Sequence, residues 1–264
     1  MFEAKYEKGT ILKKIIDSIK DLVKNVNIDA NTQGLSLQAM DSSHVALVSL
    51  NLDENGFDNF RCDKQLTLGL SIENLQKILK LASNDDSITL SAEEEDASSL
   101  KFIFESQKGE KVSEFNLNLM TIDTEQLAVP NTTYSSVVTL PSQEFSRICR
   151  DMANISETIS IEATKESVKF SVRGEIGEGS MQIKNNEGEG AEKCILEVDE
   201  PVSLSFALRY LNYFNKAAIL SNQVTLSMSP ESPIVVEYKI QGSDKDLGSL
   251  KFYLAPKIDD EEEQ

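Results

Sequence analysis

The feature that most constrains this 264-residue chain is that it repeats itself. At a shift of 133 positions Leu12, Ile15, Ile16 and Ile19 fall on Phe145, Ile148, Cys149 and Met152. The same shift carries Val26 and Ile28 to Ile159 and Ile161, and Leu35, Leu37 and Ala39 to Val168, Phe170 and Val172, without a gap. At 136, Leu68, Leu70, Ile72, Leu75 and Ile78 fall on Leu204, Phe206, Leu208, Leu211 and Phe214, and Ile88 and Leu90 on Val224 and Leu226. Leu100, Phe102 and Phe104 match Ile234, Val236 and Tyr238 at 134; Phe115, Leu117 and Leu119 match Leu250, Phe252 and Leu254 at 135. Helical steps of three and four and strand alternation recur together and in the same order, which separates a duplication from chance alternation in a β-rich sequence.

Each half reads strand, helix, several strands, helix, several strands. That is an α+β class with two helices per half on mostly antiparallel sheet. The periodicity predicts helices near residues 10–26, 71–82, 141–155 and 204–218, with Thr10 as the first N-cap. A turn near Asn31–Gly34 joins a strand pair. The expected division is an N-terminal domain over 1–119, a connector over 120–134, a C-terminal domain over 135–258 and an acidic tail over 259–264. The connector "MTIDTEQLAVPNTTY" keeps neither period and is pinned by Pro130.

Hydrophobic residues make up 40% of the chain, enough for a sizeable core. No apolar run reaches the roughly 18 residues of a membrane span, and "MFEAKYEKGT" has no apolar core of a secretory signal. Cys62, Cys149 and Cys194 are odd in number and far apart, which fits neither a metal site nor a disulfide framework and suits a reducing interior.

The chain carries 44 Asp and Glu against 26 Lys and Arg, a formal charge of −18. Bulk charge of that sign repels phosphate, but its placement is uneven. The four expected helices hold ten basic residues, Lys13, Lys14, Lys20, Lys24, Lys77, Lys80, Arg147, Arg150, Arg209 and Lys216. Against these stand five acids, Asp17, Asp21, Glu73, Glu144 and Asp151. The remaining chain holds 16 basic and 39 acidic residues. For one helix this reads as an ordinary solvated face, since Lys is a good helix former. For all four together it reads as an electrostatic surface suited to a phosphate backbone, with no base-reading motif beside it.

Catalysis finds little support. His44, the one histidine, sits in "MDSSHVALV", where Ser42 and Ser43 point to opposite strand faces and no third partner is assigned. "GEIGEG" at 174–179 lacks the Lys-Ser/Thr of a P-loop, and Glu175 and Glu178 repel phosphate, so it reads as a turn or edge strand. Glu93, Glu94, Glu95 and Asp96 read as a solvated loop rather than a cation site. "EQLAVP" is apolar for a crossover loop: Leu127, Val129 and Pro130 either pack on their own sheet or form an exposed interaction patch. Three function classes follow: a non-catalytic protein whose helices meet a DNA backbone, a hydrolase or nuclease using an acidic cluster and Mg²⁺, and a β-rich scaffold that never touches DNA. Charge segregation favours the first over the third. The lack of an ordered His, Lys and carboxylate set disfavours the second.

The segments "ILKKIIDSIKDLV", "LQAMDSSHVALV", "GFDNFRCDKQL", "KILKLA", "EKVSEFNLNLM", "EQLAVP", "RICRDM", "FALRYLNYF", "VTLSMS", "VVEYKI" and "LAPKIDDEE" carry a resemblance. Over essentially its full length the chain resembles the eukaryotic proliferating cell nuclear antigen family of DNA sliding clamps. The resemblance implies the DNA clamp fold, with helices on one side of antiparallel sheets and three copies closing into a homotrimeric ring around duplex DNA. Lys13, Lys14, Lys20, Lys77, Lys80, Arg147, Arg150, Arg209 and Lys216 then face or border the hole. The edge around residues 110–119, with Phe115 and Leu117, pairs with that around 174–184, with Ile176 and Met181, of the next copy; from the residues alone, both also read as internal strands. A partner-peptide pocket is implied at Met40, His44, Val45, Leu47, Leu127, Val129, Pro130, Pro233, Tyr253, Ala255 and Pro256. It takes an aliphatic and two aromatic side chains of a PIP-box segment. Lys165 matches the family's ubiquitin and SUMO acceptor and equally reads as a turn lysine. Asn154 departs from the family's usual His. The resemblance further implies a nuclear processivity factor with no catalytic role, no cofactor, no metal and no membrane contact. Its expected partners are double-stranded DNA, two further copies of itself, DNA polymerase, clamp loader and other PIP-box proteins.

Overall fold

The computed structural model describes residues 1–92, 98–123, 133–186, 193–230, 232–242 and 245–257. The chain divides into two compact units. Unit 1 comprises Met1–Ser42, Val48–Ala128 and Lys239–Leu250; unit 2 comprises Ser43–Leu47, Val129–Tyr238 and Lys251–Gln264.

In unit 1, β1 (Phe2–Tyr6) leads into α1 (Thr10–Ile19), followed by β2 (Asn25–Asn31), β3 (Gly34–Met40), β4 (Ala46–Asp53), β5 (Asn59–Cys62) and β6 (Leu66–Ser71). Then come α2 (Ile72–Leu79), β7 (Ser87–Ala92), β8 (Ser99–Glu105) and β9 (Val112–Asn118). One sheet runs β5-β1-β7-β8-β9 and another β6-β2-β3-β4. Unit 2 repeats the path with β10 (Ser136–Pro141), α3 (Ser142–Met152), β11 (Thr158–Ala163), β12 (Ser167–Gly174), β13 (Gly177–Lys184), β14 (Ile195–Val198) and β15 (Val202–Ala207). It continues with α4 (Leu208–Phe214), β16 (Gln223–Met228), β17 (Ile234–Gln241) and β18 (Asp246–Leu254). Its strand orders are β14-β10-β16-β17-β18 and β15-β11-β12-β13, the same two orders strand for strand, although residues 239–250 of β17 and β18 belong to unit 1 and β18 pairs there with β4. Among the described residues these strands pair antiparallel, and alternating residues fill the core. The duplication in the sequence is thus a duplication of topology.

The helices cover the apolar side because their periodicity demands it. α1 buries Leu12, Ile15, Ile16 and Ile19, and α2 buries Ile72, Leu75 and Leu79. The two lie side by side, and α2 also touches β6 of one sheet and β9 of the other. α3 and α4 pair in the same way in unit 2. There Phe214 stacks on Phe252 at 4.6 Å, with Tyr238 edge-on to Phe252. Each such ring, fully buried, contributes on the order of 1.5–3 kcal/mol.

Helix ends differ from the expected ones. α1 stops at Ile19, because the N–H groups of Leu22 and Val23 both donate to the Ile19 carbonyl and turn the chain into β2. Leu22 and Val23 are buried in that turn, which prolongs the helical period beyond the helix. Gly9 rather than Thr10 holds the N-cap position, and the Thr10 hydroxyl donates to the Asn84 carbonyl. α3 ends at Met152. α4 begins only at Leu208 and passes into a 3₁₀ turn, Asn215–Ile219, since Leu204 and Phe206 belong to β15. The β2–β3 turn falls where expected, with Asn31 opposite Gly34 and Gly34 at φ 138°.

Candidate DNA-facing helices and partner-peptide pocket

Helical geometry puts the cations of each helix opposite its buried stripe. Lys20, Lys77, Lys80, Arg147, Arg150, Arg209 and Lys216 are exposed, whereas Lys13 and Lys14 are half-buried. Lys13 Nζ donates to the Ala82 carbonyl beyond α2. Lys24 falls after α1, just before β2.

Four of these cations have a carboxylate close by in the same helical segment. Lys20 Nζ lies 2.9 Å from Asp17, Lys77 2.6 Å from Glu73, Arg147 2.6 Å from Glu144 and Arg150 3.7 Å from Asp151. Asp17 also accepts from Gln76 Nε2 at 2.7 Å, which ties α1 to α2 on their polar side. Partial burial raises the Asp17 pKa, but the hydrogen bonds from Lys20 and Gln76 outweigh it and hold the group below its ordinary value. Arg209 and Lys216 flank the Tyr213 ring at 5.6 and 5.7 Å. Sequence reasoning missed Tyr213, although its spacing of four from Arg209 and three from Lys216 was a usable signal. Exposed ion pairs are weak and screened by salt, so these cations can exchange a carboxylate for a phosphate at little cost. Asn154 turns its amide back onto the α3 carbonyls of Asp151 and Arg150 at 3.2 and 3.4 Å, so it serves the helix end.

In unit 2, residues 43–47 lie beside the C-terminal stretch: the Ala255 N–H donates to the Val45 carbonyl at 3.3 Å. His44 is exposed at φ 57°, a left-handed turn position, and Val45 is 38% exposed beside buried Leu47. Tyr253 is half-buried, and burial raises its phenol pKa, with Tyr134 close enough to add to the shift. Tyr134 is a second residue that the sequence reading did not single out. Pro233 and Ala255 are exposed and Pro256 half-buried, while Met40 ends β3 in unit 1. Leu127, Val129 and Pro130 lie outside the described residues, as do Glu93, Glu94, Glu95 and Asp96. Among the described residues no group of three His, Cys, Asp or Glu is arranged to hold a metal, and no helix is long and apolar enough to cross a membrane.

The proposed edge residues sit on β9 and β13, each with one neighbouring strand. Phe115 is half-buried against Phe104, 5.5 Å between ring centroids, and Leu117 is buried. Met181 is half-buried on β13. Ile176 is 78% exposed in the β12–β13 turn, where Gly177 takes φ 147°, so "GEIGEG" makes a hairpin turn. Lys165 is exposed in the β11–β12 turn, which the Thr164 hydroxyl organises by accepting from the N–H groups of Glu166 and Ser167.

Two family descriptions match the chain end to end: "Proliferating cell nuclear antigen, N-terminal domain" over residues 1–127 and "Proliferating cell nuclear antigen, C-terminal domain" over residues 128–257. That family is non-catalytic. With its duplicated antiparallel α+β units and its cations gathered on helices, this chain belongs to the proliferating cell nuclear antigen family and is a DNA sliding clamp, a processivity factor and docking platform in replication and repair.

Proposed function

We propose that the chain works as a nuclear, non-catalytic homotrimer that encloses duplex DNA without reading its sequence. One observation carries the ring. In unit 1 the free side of β4 is taken by the first half of β18, close enough that a Cβ on Gly248 would meet the Asn51 carbonyl at 2.0 Å. The duplication makes β13 the counterpart of β4, and β9 the counterpart of β18, yet each is an edge. A β9–β13 pairing between copies repeats the β18–β4 pairing within one, and it removes two edges that otherwise invite aggregation. The count of three is the family's. Duplex DNA carries one charge per roughly 1.7 Å of axis; the helix cations meet it weakly, and closure rather than affinity retains it.

A pocket for PIP-box peptides of DNA polymerase, clamp loader and other partners is the second element, supported by the Ala255–Val45 backbone hydrogen bond and by exposed Val45 and half-buried Tyr253 in unit 2. Solution mass combined with retention on nicked circular against linear DNA tests the ring. A trimer that stays on circles and runs off linear ends is expected; a monomer, or equal loss from both, sinks it. Phe115→Ala should give monomers on dilution. For the pocket, calorimetry with a peptide carrying Gln, then Leu, Ile or Met, then two aromatics should show one site per chain, lost in Leu127→Asp with the trimer intact. Lys165, exposed in the β11–β12 turn, is the candidate acceptor for modification: mass analysis after ubiquitin conjugation should find it on the parent and not on the Lys165→Arg protein.

A further inference from the structure

The outward face of the β15-β11-β12-β13 sheet holds a trough of about 630 Å³. Its floor is one row of paired residues, Ser205, Ser160, Ser171 and Ser180, and Lys169 and Arg173 stand at its walls against the single carboxylate Glu178. In a chain of charge −18 this is an unusual lining. Lys257 reaches the same place. Its N–H donates to the Ser205 carbonyl at 2.7 Å and its Nζ to the Thr158 hydroxyl at 2.6 Å. Residues 258–264, "IDDEEEQ", which follow directly, lie outside the described residues.

Unit 1 shows what the chain does at the equivalent point. There the corresponding row is Gly69 opposite Asn27. The segment that leaves β9 is held on it: the Met120 N–H donates to the Gly69 carbonyl at 2.9 Å, and Asn27 Nδ2 donates to the Ile122 carbonyl at 2.9 Å. The Met120 carbonyl stands 2.0 Å from where a Gly69 Cβ would be. Two residues thus advance the strap by one strand. Lys257 on Ser205 plays the part of Met120 on Gly69, and Ser160 stands where Asn27 stands.

We propose that the acidic segment 258–264 docks in its own unit 2 trough, as residues 120–122 do on unit 1, with its carboxylates against Lys169 and Arg173. The reach suffices: at roughly 3.3 Å per residue and roughly 4.8 Å between strands, residue 259 lies over β11 and residue 261 over β12. Charge complementarity fixes the occupant, because the segment carries five acids in seven residues. The docked segment covers the trough against other acidic chains.

The test is a spin label on Glu262→Cys in the full chain; Cys62, Cys149 and Cys194 are buried, so the label marks one position. At low salt the spectrum should contain an immobilised component. It should vanish at about 1 M salt, where the Debye length is about 3 Å, and in Lys169→Glu/Arg173→Glu with an unchanged thermal melt. Ser171→Tyr, which fills the trough without touching charge, should release the label as well. A freely rotating label in the parent at all salt concentrations overturns the proposal. So does immobilisation that survives both variants, or one that appears only as protein concentration rises, which assigns the trough to a second copy.

Discussion

At three corresponding points the units differ in chemistry. Unit 1 places Ile16, Leu79 and Phe104, all buried; unit 2 places Cys149, Asn215 and Tyr238, buried to the same degree. The Tyr238 hydroxyl donates to Asn215 Oδ1 at 2.8 Å. Burial pushes the Cys149 thiol up to about 12, an effect that Asn215 only partly offsets. The Asn215 amide nitrogen makes no full hydrogen bond among the described residues and leans on that sulfur. Buried polar groups are costly unless satisfied, so unit 2 holds the same path with less margin. Duplication preserved the backbone route and left the interior free to diverge, with the Tyr238 hydroxyl and Asn215 Oδ1 satisfying each other.

The comparison can be broken hardest from the apolar side. Phe104 packs on Phe102 and Phe115, so Phe104→Ala should cost about 3–5 kcal/mol in urea unfolding and weaken self-association through Phe115. A smaller loss, about 1–3 kcal/mol, is expected for Tyr238→Phe, which leaves Asn215 Oδ1 dry. The double variant Tyr238→Phe/Asn215→Leu, which rebuilds the unit 1 pattern, should recover most of it; no recovery in a denaturant titration would mean the polar pair is not the cause. Alkaline unfolding sharpens the contrast further. The Cys149 thiol titrates at 9.0 when unfolded and at about 12 when folded, so its share of stability is full below pH 9.0 and is lost as pH rises towards about 12. Melts of Cys149→Ala across that window should show a flatter pH slope than the parent, whatever the offset between them. Smallest is Lys20→Gln, exposed at the C-cap of α1. Stability should move by less than about 0.5 kcal/mol, while the salt slope of the equilibrium affinity for duplex DNA falls by roughly 0.9.

The duplication was legible because strands and helices kept their apolar periods in register, and the helix cations because charge stays with its element. The end of α1 was not, since Leu22 and Val23 are buried in a turn that continues the helical spacing. Edge status came from the resemblance and not from the pattern: β9 alternates whether or not a neighbour lies beside it, so Phe115 and Met181 by themselves cannot announce a free side. Matching Cys149 to Ile16 and Tyr238 to Phe104 sorted residues by apolarity and passed over the hydrogen bond that separates the units. The carboxylate partners of Lys20, Lys77 and Arg147 stood at helical spacings and could have been drawn from those alone. Tyr134 and Tyr253 come within electrostatic reach of each other only through the fold.

The borrowing of residues 239–250 by unit 1 has a consequence for synthesis. A ribosome completes Ala128 long before it reaches Leu250, about 120 residues or roughly 6–25 s later at usual elongation rates. Through that interval β4 emerges without its neighbour, so the first half of the nascent chain leaves the ribosome with an unfinished sheet and becomes complete only once residues 239–250 have been made.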